Sequence, residues 1–190
     1  MGGRALASGD ARAAIAAGVA YVPEDRLGTG LAPSLSVAHN VSLKRYREPP
    51  ISRGPLLVMK RMVELARSLI HTYEVHAPGP GAPVRNLSGG NLQKLVLGRE
   101  FHGAPRVIVV ASPTRGLDVG AIETVHGYLR EAAASGVAVL LISEDLDEIL
   151  ALADRIAVMF EGSIVGEREA GSATVEELGL LMAGGEEAEA

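Results

Sequence analysis

Cysteine and tryptophan are absent from the 190 residues, aromatics make up 3%, and lysine occurs only as Lys44, Lys60 and Lys94. Without cysteine there is no disulfide framework, no thiolate metal site and no thiol nucleophile. Eighteen basic against 23 acidic residues give a formal charge of -5, which argues against a nucleic-acid-coating surface or a polybasic membrane patch. No apolar run approaches the roughly 18–20 residues that span a bilayer, and the first residues, MGGRALASGD, lack the basic-then-apolar layout of a secretory signal. The chain also contains no Gly-Lys dipeptide, so the G-x-x-x-x-G-K-[ST] loop that cradles nucleotide phosphates is missing. With 47% of residues hydrophobic, the sequence predicts a water-soluble cytoplasmic domain with a sizeable core.

Alanine-rich residues 11–20 lead through Tyr21-Val22 into PEDRLGTGLAPS, which glycine and proline mark as an irregular loop. Met59, Met62, Val63, Ala66, Leu69, Ile70 and Tyr73 recur at three- and four-residue steps, predicting one face of an amphipathic helix. APGPGAP at 77–83 cannot continue it and is expected to be an exposed connector. Residues 87–102 read as a glycine-rich turn opening a helix with Leu92, Leu95, Val96 and Arg99 at helical spacing. Three aliphatic runs, 107–111, 137–143 and 154–160, have the composition of parallel strands buried on both faces. A helix over 118–134, opened by Asp118 and ended by Ser135-Gly136, separates the first two. Strands alternating with helices predict an α/β core with right-handed crossovers.

Two glycines at a helix start leave backbone N–H groups unpaired where an anion could sit. Alone, Leu87-Ser88-Gly89-Gly90-Asn91 is equally a tight turn with a serine cap. In order along the chain, however, stand LSGGN-x-QK, a strand, PTRGLDVGA, a helix, a strand and ISEDLDEI. This ordered set resembles the nucleotide-binding domain of ATP-binding cassette transporters over nearly the whole chain. The PEDR loop, the asparagine of LSGGN and the TRGLDVGA string are similar to the second cassette of the fused tandem ATPases of ribose-, galactose- and xylose-type importers. ASPTRGLDVGAIE is similar to the nucleoside-import branch.

The resemblance implies a partial P-loop NTPase fold, RecA-like, with a helical signature subdomain and with the N-terminal strands and phosphate loop missing, as in the C-terminal part of a longer polypeptide. It assigns residues 1–35 to a remnant of the cassette core with a PEDR segment, 36–104 to the helical subdomain, 105–183 to the RecA-like core and 184–190 to an acidic tail. Ser88, Gly89, Gly90 and Asn91 are implied to contact an ATP held by the partner cassette. Asp118 matches the loop that crosses the dimer interface, and its bland role is a helix cap. Glu24, Asp25 and Arg26 occupy the nearest match to the loop that senses magnesium and the permease. The implied ligands are ATP and Mg2+. The implied partners are a second cassette, membrane permease subunits and, indirectly, a periplasmic or lipid-anchored substrate-binding protein, with no nucleic acid. The chain would then sit peripherally on the cytoplasmic face of the membrane.

Three positions depart from a hydrolytic cassette. Ala111 and Ser112 stand where the magnesium-ordering aspartate and catalytic glutamate belong, and Glu144 stands where the switch histidine belongs, so no catalytic residue is assigned and the chain alone is expected to be inactive. Asn91 stands where most cassettes carry glutamine. The five histidines share no metal-ligand spacing, so no metal site is expected. Asp145, Asp147 and Glu148 form an acidic cluster that helix-dipole stabilisation explains. The contrasting reading is a non-hydrolytic interaction or regulatory remnant of a truncated transporter gene.

Overall fold

The computed structural model describes residues 9–185. The beginning of the expected core remnant, 1–8, and most of the expected acidic tail, 186–190, lie outside the described residues. The chain divides into two compact units, Met1–Leu140 and Leu141–Ala190. This boundary falls inside the 105–183 segment that the sequence assigns to one core.

In the first unit, helix α1 (Ala11–Ala16) starts at Asp10, whose carboxylate accepts the N–H groups of Arg12 and Ala13. Strand β1 (Val19–Val22) follows. After helix α2 (Val37–Ser42) come the short hairpin strands β2 (Ser52–Arg53) and β3 (Leu56–Leu57), then helices α3 (Met59–Thr72) and α4 (Gly89–His102). Strand β4 (Val107–Ala111) leads to helix α5 (Val119–Ala134) and to strand β5 (Ala138–Ile142), within which the unit boundary falls. The sheet order is β1-β4-β5, and β1 and β4 run parallel from Val19 opposite Val107 to Val22 opposite Val110. Val22, Ile108, Val110, Leu95, Val96 and Val125 are fully buried, so α4 and α5 share their core with this sheet. The predicted α3 face is confirmed at Met62, Ala66 and Leu69, which are buried. Among the described residues no helix is long and apolar enough to cross a membrane.

Helix α4 is held at its far end by a buried charge. Glu100, 3% exposed, accepts hydrogen bonds from Lys44 Nζ (2.5 Å), Arg99 Nε (3.0 Å) and the Tyr21 backbone N–H (3.2 Å). One carboxylate thereby ties α4 to β1 and to the turn after α2. A cleft of about 350 Å³ opens beside it, with Lys44, Arg45, Glu48 and Arg99 among its walls.

Packing of α3 against α4 depends on Gly98. A Cβ there would stand 2.7 Å from the Tyr73 ring, which itself meets Tyr128 edge-on at 5.2 Å between centroids. Burial pushes both phenols above their ordinary pKa. Alanine gains about 1 kcal/mol of helix propensity over glycine, whereas overpacking of this kind costs about 1–3 kcal/mol. Gly98→Ala is therefore expected to lower unfolding stability by about 1 kcal/mol in urea titrations. The same change in a Tyr73→Ala background is expected to stabilise; stabilisation in both backgrounds would refute the packing argument.

The 77–83 connector is not the exposed tether that its composition suggests. Pro80 O and Ala82 O accept the N–H groups of Ala38 and Val37, each at 2.9 Å, and Val84 N–H donates to Leu35 O at 3.1 Å. The connector thus satisfies first-turn donors of α2 that would otherwise need water.

The second unit departs from the expected run of parallel strands. Helix α6 (Leu146–Leu152), capped by Asp145 as its acidic start predicts, precedes β6 (Arg155–Phe160) and β7 (Ser163–Glu169), and helix α7 (Val175–Met182) is the last element among the described residues. β6 and β7 pair antiparallel across Glu161 and Gly162, which have φ of 45° and 82°. Two successive positive φ values define the tight hairpin turn whose twist matches its strands. β6 is also buried on one face only, through Ile156 and Val158, which pack with Leu178 and Leu181 of α7. Gly166 makes that approach possible, since a Cβ there would lie 2.8 Å from Leu181 Cδ1.

Candidate functional site

The loop after β1 brings the PEDR residues to α4. Asp25 accepts the N–H groups of Leu27 (3.2 Å) and Gly28 (2.8 Å) through its side chain, and its carbonyl accepts those of Thr29 and Gly30. The result is a π-helical turn over Arg26–Gly30 within a stretch that the sequence marks only as irregular. A Cβ at residue 28 would lie 2.1 Å from Asp25 Oδ2, so any larger residue would displace the carboxylate that holds this turn.

Held by this turn, Arg26 donates from Nε to Gln93 Oε1 on α4 (2.7 Å) and from Nη2 to the Arg115 carbonyl (2.5 Å). Burial pulls the Arg26 guanidinium below its ordinary pKa, without threatening a charge whose intrinsic pKa is so high. Arg115 in turn pairs with Glu24. That pair is exposed and contributes little to stability, whereas the contact to buried Gln93 fixes the loop. Gln93 Nε2 has no acceptor among the described residues. A cleft of about 430 Å³, lined by Tyr21, Glu24, Asp25, Arg26, Thr29 and Arg115, lies along this face.

Ser88 precedes the first residue of α4 and is exposed, yet its hydroxyl caps no helix N–H. Leu92 N–H donates to Ser88 O, which leaves the N–H groups of Gly89, Gly90 and Asn91 without helical acceptors. The space at Gly89 is open, with Arg26 Nη1 and Leu117 Cδ2 both 3.8 Å from an ideal Cβ. Gly90 approaches α5 more tightly, at 3.2 Å from Ala121 Cβ. Asp118 caps α5, its Oδ1 accepting Ala121 N–H at 2.9 Å, as its bland reading predicts. Free amides, an arginine and the Asp118 loop therefore converge around one glycine. This arrangement suits a bound anion, since the helix dipole and the guanidinium act in the same direction.

The strand end is different. Ala111 closes β4, and Ser112 follows in the left-handed region at φ 42°, a conformation that non-glycine residues seldom adopt. A methyl group and one hydroxyl do not fit Mg2+, which takes carboxylates, phosphates and water. Glu144 is exposed and lies in the second unit. Among the described residues no group of three or more His, Asp or Glu side chains converges on a metal position.

The fold is that of an ATP-binding cassette. Its likeness to the dimeric post-hydrolysis cassette MJ0796 bound to ADP and Pi has a TM-score of 0.65 at 22% identity, covering 80% of this chain and 62% of that one. No family model matches the chain. Its sequence is 46% identical over 173 residues to the guanosine import ATP-binding protein NupO of Bacillus subtilis, covering 91% of this chain and 34% of the relative. It is 44% identical over 167 residues to the nucleoside import ATP-binding protein NupA of Lactococcus lactis, covering 88% and 33%. It is 42% identical over 190 residues to the glucose import ATP-binding protein TsgD13 of Haloferax volcanii, covering 99% and 34%. The chain is a homologue of the ATP-binding cassette proteins of sugar and nucleoside import, and it spans about a third of the length of these relatives.

Proposed function

We propose that the chain serves an importer of nucleosides or simple sugars by completing, with Ser88, Gly89 and Gly90, an ATP site whose phosphate loop belongs to a partner cassette. The convergence of the free amides of α4 with Arg26 around open space at Gly89 carries this reading. Those groups can hold a γ-phosphate by hydrogen bonds and dipole without contributing a base. Mg2+ would then be held in the partner's site, because Ala111 and Ser112 do not suit it, and no step is assigned to Ala111, Ser112 or Glu144. In this reading residues 36–104 are the helical subdomain. Residues 23–40 meet a permease, through which nucleotide binding is coupled to substrate entry, with a substrate-binding protein delivering cargo on the far side. The chain acts at the cytoplasmic membrane surface.

The experiment is a titration of the purified chain with a fluorescent ATP analogue and magnesium, alone and with a cassette that carries the phosphate loop. Alone, neither micromolar binding nor phosphate release is expected, since no Gly-Lys loop is present in the chain. Added partner should bring nucleotide-dependent association. Tight binding by the chain alone would show that the phosphate site has been misplaced. A partner that ignores the chain in ATP would favour the interaction-remnant reading.

A further inference from the structure

We infer that Asn91 is a positioning residue that sets the direction of the Ser88 hydroxyl. Its side-chain Oδ1 accepts the His76 backbone N–H at 2.7 Å, and its Nδ2 donates to Ser88 Oγ at 2.7 Å. The two ends of the amide cannot be exchanged, because a backbone N–H only donates and so requires the oxygen. Ser88 Oγ therefore acts as acceptor toward Asn91. Its own proton points elsewhere, and among the described residues nothing accepts it.

This explains why Ser88 occupies a capping position without capping. A serine there ordinarily turns its oxygen onto a first-turn N–H. Asn91 draws that oxygen to itself, so the first-turn amides stay free and the hydroxyl proton becomes a further donor beside them. The helix start thus presents donors only, which matches an oxyanion and repels a cation or a donor ligand. Asparagine meets both partners because its amide lies one methylene closer to the helix than that of glutamine. The contact also fastens His76, next to the buried Val75, to the same turn. Asn91 thereby spends both ends of its amide inside the chain and acts on the nucleotide through Ser88.

The inference rests on the proposed role of Ser88 toward ATP, and the test separates the two. Asn91→Asp is nearly isosteric and keeps the acceptor for His76, but it replaces the donor facing Ser88 with a second acceptor. The Ser88 proton should then turn inward. ATP hydrolysis is measured for the chain assembled with its partner cassette and permease, in the wild type, Ser88→Ala, Asn91→Asp and the double variant.

Ser88→Ala should lower kcat/KM by about ten- to a hundredfold, the effect of one hydrogen bond to a charged group. Asn91→Asp should lower it at least as far, and the double variant should be no more than about twofold worse than Ser88→Ala. If Asn91→Asp costs the same factor with and without Ser88, its effect is charge or distortion and the positioning role is overturned, while the role of Ser88 stands. If Ser88→Ala is harmless, both fail together. Hydrogen exchange on the full chain supplies the structural readout. His76 N–H should stay protected in Asn91→Asp and lose protection in Asn91→Ala, and loss in both would overturn the inference.

Discussion

If the proposed trans site is correct, Gly89→Asp reduces ATP hydrolysis by the assembled importer about a hundredfold or more. An ideal Cβ at this position has ordinary van der Waals room, 3.8 Å from Arg26 Nη1 and from Leu117 Cδ2, so the chain itself should accept the aspartate and even pair it with Arg26. In the proposed site the damage arises on closure, when a carboxylate meets a γ-phosphate. Like charges about 4 Å apart at an effective dielectric near ~20 repel by about 4 kcal/mol, and each ~1.4 kcal/mol is a factor of ten in rate. Pairing with Arg26 offsets part of that repulsion, which is why the expectation is set at a hundredfold. Ser112→Ala in the same assembly should leave the rate within about twofold, since no base is lost. Unchanged folding of Gly89→Asp, checked by thermal unfolding, isolates the effect. Full activity of Gly89→Asp would end the trans-site reading, and a severe loss in Ser112→Ala would return chemistry to the β4 strand end.

The largest stability effect is expected at Glu100. Replacing it with alanine leaves Arg99 without its counter-charge and the Tyr21 N–H without an acceptor, in a site where the carboxylate is 3% exposed. Removing one partner of a buried ion pair costs about 3–5 kcal/mol, and a value near the lower end is expected because Lys44, one quarter exposed, can turn to water. Against a total of about 5–15 kcal/mol for a typical domain this is a large share. Glu100→Gln should lose less, since its amide oxygen can still accept from Tyr21. Urea unfolding followed by circular dichroism measures both, and a loss below about 1 kcal/mol for Glu100→Ala would mean that the network contributes little.

Local signals are the most legible part of this sequence. Asp118 before 119–134, Asp145 before Leu146 and the glycines after Ser88 each mark a helix start through the chain's own unpaired amides, and each start lies where those residues indicate. The pairing of β6 was not legible in the same way. Arg-Ile-Ala-Val-Met-Phe is apolar enough to pass for a doubly buried strand, and only the Glu161-Gly162 turn and the return strand mark it as half a hairpin. Glu100 could have been found, since it lies four residues after buried Val96 and three after buried Leu97, on the inner face of α4. The Arg26 contacts could not. They join residues 67 and 89 positions apart, and no local pattern encodes which amide a guanidinium will meet.

The connector before α4 has a thermodynamic side as well. Pro78, Pro80 and Pro83 fix φ at three places within a few residues, in the unfolded chain as much as in the folded one. The prolines offset part of the entropy that Gly79 and Gly81 give up when the segment is laid along residues 33–38. Proline also has no N–H of its own, so Pro80 brings its carbonyl to Ala38 without adding a donor that would need a partner. Replacing these prolines would leave the folded contacts possible while multiplying the unfolded alternatives. The start of α2 is thus stabilised partly by a state in which it does not exist.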